Sequence, residues 1–243
     1  MDLGIRGRRA AVGGGSSGLG LGVARALVAE GVEVAICGRR AEAIEAAAAE
    51  LGEGAVAVVA DLSTPEGAAG FVADAEAALG GPIDILVPNA GGPPPGNFET
   101  TPVDAYPAAL DLNLMSVVAM CDAAVPGMRE RGWGRVVAIT SVSVRQPIAN
   151  LILSNTARAG ATAFLKTLAL EVIGDGVTVN SVQPGLHDTP RLDALYDDAT
   201  KGAMHLGDAD DFGSVVAFLC GQQAKFTTGV QLHVDGGTYA GLL

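Results

Sequence analysis

Short apolar runs alternate with longer alanine-rich stretches along this chain of 243 residues. The short runs are continuously apolar, and a continuous apolar run indicates a strand that is buried on both faces of a sheet. Seven runs predict strands, with the sequences RRAAVG, VEVAIC, AVAVVA, IDILVP, RVVAIT, VTVNSV and VQLHV. The stretches between them predict helices at about 18–30, 41–51, 65–79, 103–130, 152–173 and 208–221.

This alternation of strand and helix is typical of a doubly wound α/β fold. We predict a Rossmann-like, seven-stranded parallel sheet flanked by helices, in a single domain over residues 1–243. No linker, long repeat or low-complexity tract interrupts the pattern. In such folds, ligands bind in the crevice outside the carboxyl ends of the strands. Candidate chemistry is therefore expected at those ends.

One helix start carries a recognisable capping sequence, STPEG. Ser63 is predicted to cap this helix, with Pro65 in the first turn and Glu66 closing a capping box.

Composition and charge exclude several classes of protein. Hydrophobic residues make up 49% and charged residues 17% of the chain, which predicts a large core rather than a disordered chain. A net charge of −12 argues against nucleic-acid binding, which needs a basic face. We expect a cytoplasmic protein without membrane association, because neither a signal peptide nor a run of 18 uncharged apolar residues is found. Three scattered histidines predict no metal site.

The first predicted strand runs into the glycine-rich sequence GGGSSGLGLG. It fits G-x-G-x-x-G through Gly13, Gly15 and Gly18, and also G-x-x-x-G-x-G through Gly14, Gly18 and Gly20. Either spacing brings bare backbone close to a pyrophosphate at the N-terminus of the following helix. A flexible turn is the alternative, but the position between first strand and first helix favours a dinucleotide site.

The second and third strands end in residues suited to the adenosine half of such a ligand. A NAD site would place an acidic residue on the ribose about 20 residues after the glycines, whereas this chain has Arg39 and Arg40 there. Arg39 suits a 2′-phosphate, so NADP (as NADPH) is the predicted cofactor; two solvated arginines are the alternative. Asp61 could bind the adenine amino group or cap a helix.

Several of these stretches together resemble the short-chain dehydrogenase/reductase family, in its 3-oxoacyl-acyl-carrier-protein reductase-like branch. The matching sequences are GGGSSGLG, ADL, NAG, DLNLMSV, VVAITS, VNSVQPGLHDT and VDGG, and they cover essentially the whole chain. The resemblance implies a homodimer or homotetramer built on helices 103–130 and 152–173. Small and apolar residues such as Ala157, Ala161 and Phe164 are the expected interface of the second helix.

The resemblance also assigns the catalytic positions. The family uses an Asn, a Ser and a Tyr-x-x-x-Lys pair, and Asn113 and Ser141 match the first two. Thirteen residues after Ser141, where the tyrosine commonly falls, stands Ser154, followed four residues later by Arg158. The resemblance thus implies that both members of the Tyr/Lys pair are replaced. Arg158 can still hold the cofactor ribose, but a Ser hydroxyl cannot offer a phenol's proton at neutral pH.

The remaining candidate residues lie along the same edge. The predicted cofactor contacts are Gly14, Ser16, Ser17, Gly18, Leu19, Arg39, Asp61, Leu62, Asn89, Ala90, Gly91, Arg158, Pro184, Gly185 and Thr189. Substrate contacts are predicted at Ser143, His187 and Tyr196, the last two in a short substrate loop at about 187–207.

These residues predict an NADP-dependent oxidoreductase that transfers hydride to or from a small, fairly apolar carbonyl, alcohol or activated double bond, with a non-standard proton donor. Two alternatives stay open at this point. One is a non-redox enzyme on the same scaffold, namely a dehydratase, isomerase or cyclase. The other is a non-catalytic NADP-binding protein.

Overall fold

A computed structural model describes residues 1–193 and 195–242 of the chain and confirms the predicted seven-stranded parallel sheet. The strands are β1 Arg9–Val12, β2 Glu33–Gly38, β3 Ala55–Val59, β4 Ile85–Val87, β5 Gly134–Ile139, β6 Val177–Pro184 and β7 Gln231–Val234. They run in the order β3-β2-β1-β4-β5-β6-β7, and each neighbouring pair is parallel. The predicted strand positions agree with these bounds to within one or two residues.

Helices cover both faces of the sheet. They are α1 Gly18–Ala29, α2 Ala41–Leu51, α3 Pro65–Leu79, α4 Tyr106–Leu110, α5 Ser116–Glu130, α6 Ile152–Glu171, α7 Pro190–Asp193, α8 Asp198–Gly202 and α9 Ala209–Cys220. Shorter helical segments are the 3-10 turns Val103–Ala105, Val142–Val144 and Gln222–Ala224 and the π-helical turn Asp111–Met115. Residues 103–130 are thus helical throughout, as predicted, but with a π turn in the middle.

Two hydrophobic cores lie on opposite faces of the sheet. Helices α3, α5 and α6 pack on one face around Phe71, Met120 and Met128. Helices α1, α2 and α9 pack on the other face around Leu27 and Phe212. Because both faces are covered, the strands carry continuous apolar runs rather than alternating ones.

The order of the strands reverses between β1 and β4. The chain moves outward from β1 to β2 and β3, and then returns to place β4 on the other side of β1. Val12 at the end of β1 lies level with both Ile36 of β2 and Val87 of β4. The loops that follow β1 and β4 therefore leave the sheet side by side and open a crevice, the position at which such folds bind ligands.

The structure corrects the predicted cap of helix α3. Thr64, not Ser63, is the N-cap residue, and its Oγ1 accepts a hydrogen bond of 3.1 Å from the amide of Gly67. The Ser63 amide instead donates to the Asp61 carboxylate at 3.0 Å. Pro65 does occupy the first turn, as predicted.

The structure also corrects the residues expected at an interface on α6. Ala157 and Ala161 are buried in the core of their own chain, and Phe164 packs partly against that core. Ala157 and Ala161 therefore cannot form an outer face. The apolar residues that α5, α6 and their flanks do expose are Val103, Met115, Leu170 and Ile173.

The predicted substrate loop contains the two short helices α7 and α8, while residue 194 within it and residue 243 of the predicted domain lie outside the described residues. A parallel bridge joins His187 to Gly207 and closes the base of the loop. The segment Val103–Glu130 is long and apolar enough to cross a membrane by length and composition alone. Met120, Cys121 and Ala124 of this segment are buried in the core against the sheet, as in the core helix of a globular domain.

Candidate active site

A cleft of about 520 Å³ opens at the carboxyl ends of β1, β4, β5 and β6. It is the crevice that the reversal of strand order creates. The predicted site residues that line it are Gly14, Ser17, Gly18, Leu19, Asn89, Ala90, Gly91, Ser141, Ser154, Arg158, Pro184, Gly185, His187, Thr189 and Tyr196. Predicted site residues outside this lining are Ser16, Arg39, Asp61, Leu62, Asn113 and Ser143.

The loop after β1 and the first turn of α1 tolerate only glycine at several positions. A Cβ on Gly13 would lie 2.3 Å from the carbonyl oxygen of Asn89, and a Cβ on Gly20 would lie 2.3 Å from that of Gly14. Gly14 and Gly18 have φ angles of 58° and 56°, which disfavour any side chain. The Asn89 side chain donates to the Gly13 carbonyl at 3.0 Å and ties this loop to the end of β4.

Helix α1 begins at this loop and directs its N-terminus into the cleft. Ser17 precedes the helix in an extended conformation and makes no side-chain capping bond. The amides of the first turn are therefore available to a ligand, and the 12-residue helix adds its dipole. Thr189 lies against Gly18 from the opposite lip, where a Cβ on Gly18 would be 3.3 Å from the Thr189 side chain. Bare backbone, helix N-terminus and open cleft together fit a dinucleotide pyrophosphate.

A second group of residues lies beyond the cleft lining at the ends of β2 and β3. Ser16 sits over Gly38, where an added Cβ would be 3.5 Å from the Ser16 Oγ. Arg39 follows and is exposed, with no hydrogen bond or ion pair to any residue that the structure describes. Asp61 is also exposed, and the hydrogen bond from Ser63 holds its pKa below the ordinary value, with the charge of Arg39 contributing.

Leu62 supports the glycine loop with its side chain. It is buried, and its side chain would lie 3.2 Å from a Cβ on Gly13, so it packs beneath the glycine loop.

Arg158 reaches from α6 to the ends of the two central strands. Its Nη1 donates to the carbonyl oxygens of Ile139 and Thr140, each at 3.1 Å, and its Nη2 donates to that of Ala90 at 3.4 Å. Burial, followed by the charge of Arg191, lowers the pKa of Arg158 to about 10. The guanidinium remains cationic at neutral pH, fixed by neutral partners at the floor of the cleft.

The serines differ in how their hydroxyl groups are held. Ser141 follows β5, and its Oγ accepts a hydrogen bond of 3.1 Å from the Ser143 amide. Ser154 lies in the first turn of α6, is 8% exposed, and has no hydrogen-bond partner among the described residues. The Ser143 hydroxyl is buried without a partner and does not face the cleft. Ser141 is therefore the serine whose hydroxyl is oriented by a neighbour.

Asn113 lies in the π turn between α4 and α5, a feature found frequently at functional sites. Its Nδ2 donates to the carbonyl oxygen of Gly91 at 2.9 Å. The Oδ1 atom is buried and has no partner among the residues described. Asn113 thus holds the loop after β4 from behind rather than lining the cleft.

His187 and Tyr196 line the cleft from the substrate loop. The His187 ring packs edge-on against Phe212 with centroids 5.2 Å apart, and its Nδ1 lies 3.3 Å from the Gly185 carbonyl oxygen. Burial lowers the pKa of His187 below that of an ordinary histidine, so the ring is neutral at neutral pH. Tyr196 is 37% exposed and is a phenol at the rim.

Sequence reasoning missed several residues of the lining, namely Thr140, Gln146, Ile148, Leu151, Leu186, Leu192, Leu195, Arg191 and Thr238. Most come from irregular segments, to which apolar periodicity assigns no position. One signal in the sequence pointed to Arg191, because this residue lies two positions after the VNSVQPGLHDT stretch that carries part of the family resemblance. Its Nη2 donates to the Pro93 carbonyl oxygen at 3.0 Å, across the mouth of the cleft.

Comparison with known proteins identifies the class. Residues 14–239 match the family described as enoyl-(acyl carrier protein) reductase. The 2-dehydro-3-deoxy-L-rhamnonate dehydrogenase (NAD(+)) of Sphingomonas sp. (strain SKA58) is 33% identical, over 95% of both chains. The 3-oxoacyl-(acyl-carrier-protein) reductase of Salmonella typhimurium is 32% identical, over 98% of this chain and 99% of that relative.

A solved structure agrees with these relatives. L-sorbose reductase from Gluconobacter frateurii, complexed with NADPH and L-sorbose, is 30% identical with a TM-score of 0.92 and covers 100% of both chains. The chain therefore belongs to the short-chain dehydrogenase/reductase family, whose members named here are oxidoreductases.

Proposed function

We propose that the protein is an NADP(H)-dependent oxidoreductase that transfers hydride to or from a small, fairly apolar carbonyl, alcohol or activated double bond. The observation that carries this proposal is the cleft itself. It combines a glycine cradle at the N-terminus of α1 with an oriented serine and a fixed cation at the ends of β4 and β5. The NADPH bound to L-sorbose reductase supports the choice of cofactor.

The choice of NADP(H) over NAD(H) depends on the residues after β2. One relative is named for NAD(+), so family membership alone leaves the cofactor open. In this chain Arg39 is exposed and without an ion pair among the described residues, and Ser16 lies over the adjacent Gly38. A 2′-phosphate would give Arg39 the anionic partner that it lacks.

The other cofactor contacts follow from the same geometry. The first turn of α1 would hold the pyrophosphate, Asp61 is available to the adenine amino group, and the backbone of Ala90 and Gly91 would face the nicotinamide half. When bound, NADPH supplies the hydride.

Ser141 is proposed to hydrogen-bond the reacting oxygen of the substrate. The Ser143 amide donates to its Oγ at 3.1 Å, which uses an acceptor position and leaves the hydroxyl proton for another partner. That proton can point into the cleft that Ser141 lines. A donor aimed at a developing oxyanion acts without reorganisation during the reaction.

We further propose that Ser154 and Arg158 stand at the tyrosine and lysine positions of the family. Arg158 then supplies a permanent positive charge beside the reacting oxygen, and its three backbone contacts fix that charge. Ser154 helps to shape the cleft but does not transfer a proton, because its hydroxyl has no base among the described residues to activate it. The proton comes from water or from a residue of the substrate loop, in which Tyr196 is the phenol that lines the cleft.

The proposal is tested by measuring NADPH binding by titration calorimetry and then NADPH oxidation with a panel of small aldehydes, ketones and enones. We expect tight binding and oxidation that depends on both protein and carbonyl compound. Tight binding without oxidation would favour a cofactor-binding protein. Conversion of a substrate without loss of NADPH would favour a dehydratase, isomerase or cyclase.

A further inference from the structure

The cleft is positively charged in an otherwise acidic protein. The chain has 27 acidic and 15 basic residues, yet no Asp or Glu is among the described residues that line the cleft. The lining does include two arginines, Arg158 at the floor and Arg191 at the mouth. A cleft of this kind selects against cations and for an anionic group.

Neither arginine has an acidic partner among the residues that the structure describes. Within that part of the chain, Arg158 donates only to backbone carbonyl oxygens. Arg191 makes one hydrogen bond, to the Pro93 carbonyl oxygen at 3.0 Å, and has no acidic partner in the described part of the chain. The charge of Arg191 lowers the pKa of Arg158, so the two cations are within electrostatic reach of each other.

The position of Arg191 places its charge between the two lips of the cleft. It belongs to α7 of the substrate loop, and a Cβ on Gly92 in the loop after β4 would be 2.9 Å from its Nη2. The lining of the same cleft also includes the apolar residues Ile148, Leu151 and Leu195. A cleft that combines a guanidinium with apolar side chains matches a ligand with one anionic group and an apolar body.

The anionic groups of the proposed cofactor have other partners. In the proposed function, the α1 N-terminus would bind the pyrophosphate and Arg39 would bind the 2′-phosphate. We therefore infer that the substrate carries a carboxylate and that Arg191 binds it, which makes the substrate an oxo acid or hydroxy acid with an apolar chain. This inference rests on the proposed function for the reaction at the carbonyl group, but the carboxylate contact itself concerns binding alone.

The test compares a carboxylate with its neutral amide. 2-Oxohexanoate and 2-oxohexanamide are titrated into the protein with and without NADP⁺, so that no turnover is possible. The variants are Arg191→Gln and Arg191→Lys. Arg6→Gln is the control, because it removes the same charge from an exposed residue near Gly31 at the amino end of the sheet.

Wild type should bind the carboxylate at least about 10-fold more tightly than the amide, as expected for a charge-assisted contact. Arg191→Gln should abolish this preference, Arg191→Lys should retain part of it, and Arg6→Gln should leave it unchanged. Equal wild-type affinities would overturn the inference. An Arg191→Gln variant that binds the carboxylate and the amide more weakly by the same factor would also overturn it. So would a variant that binds NADP⁺ more weakly but still prefers the carboxylate to the amide.

The proposed function can fail separately from this inference. If NADPH is never oxidised but the carboxylate preference depends on Arg191, the redox proposal falls and the anion site stands. If NADPH is oxidised only with neutral carbonyl compounds and the protein shows no preference for the carboxylate, the redox proposal stands and the anion site falls.

Discussion

At the scale of single residues, the site depends on how each polar group is oriented. Ser141 is held by a backbone amide, Arg158 is held by three backbone carbonyl groups, and Ser154 is held by no hydrogen bond within the described residues. A group that is oriented before the reaction contributes more to catalysis than one that must be ordered during it. The two serines should therefore respond differently to the same substitution.

Ser141→Ala should lower kcat by at least about 10²-fold, because one oxyanion donor is worth roughly 3 kcal/mol in comparable sites. Ser154→Ala is the matched control and should change kcat only by a small factor. Steady-state kinetics with NADPH and the best carbonyl compound would measure both. If Ser154→Ala were as damaging as Ser141→Ala while NADPH affinity stayed intact, Ser154 would act directly in the reaction.

Arg39 should determine the preference for NADPH over NADH. Arg39→Gln should weaken NADPH binding by about 10-fold or more, as expected for loss of a charge-assisted phosphate contact, and should change NADH binding little. The neighbouring exposed Arg40 offers a control in Arg40→Gln. Titration calorimetry with NADPH and NADH would measure these affinities. A wild-type protein that binds NADH as tightly as NADPH would refute the role of Arg39 in cofactor preference.

At the scale of elements, the N-cap of helix α3 lies one residue after the position that the sequence predicts. Thr64→Ala removes the acceptor of the Gly67 amide and should lower the free energy of unfolding by about 1 kcal/mol. Ser63→Ala removes no capping acceptor and should cost clearly less. Urea unfolding of both variants tests this difference. A larger loss of unfolding free energy for Ser63→Ala than for Thr64→Ala would show that Ser63 is the N-cap, as the sequence predicts.

The elements themselves were largely predictable, because buried strands and amphipathic helices leave periodic patterns. Helix 41–51 and helix 65–79 have the predicted bounds, and β5 is displaced by one residue. The π turn at Asp111–Met115 could not be predicted, since one extra residue in a helical turn barely changes the apolar period. The prediction of Ser63 as the N-cap was wrong because Ser and Thr are both good N-cap residues, and only the backbone conformation shows which of the two caps the helix.

The site residues that belong to recognisable motifs could be predicted from the sequence, and the site residues outside those motifs could not. Glycine spacing and family resemblance identified most of the cleft floor. Arg191 and Leu195 lie in a loop without periodicity, and their contact with the cleft depends on how α7 folds across it. Ser143, by contrast, was expected at the cleft, but its side chain turns into the protein interior.

At the scale of the whole molecule, the exposed apolar residues of the α5/α6 side favour assembly. Val103, Leu170 and Ile173 are 86%, 62% and 65% exposed, and covering apolar side chains of this kind in an interface would remove them from water. We expect a homodimer or homotetramer by light scattering at micromolar concentration. Leu170→Glu should reduce the assembly, whereas Val59→Glu, at the end of edge strand β3, should not. A wild-type monomer would contradict this prediction.

The most direct test of the redox proposal follows the hydride itself. NADPH carrying deuterium at the transferable position of the nicotinamide is incubated with the protein and the carbonyl panel, and the products are analysed by mass spectrometry. We expect an alcohol, or a reduced enone, that contains one deuterium, with an equal amount of NADP⁺ formed and with the yield greatly reduced in Ser141→Ala. Products without deuterium, or bound NADPH that stays unconsumed across the panel, would contradict it.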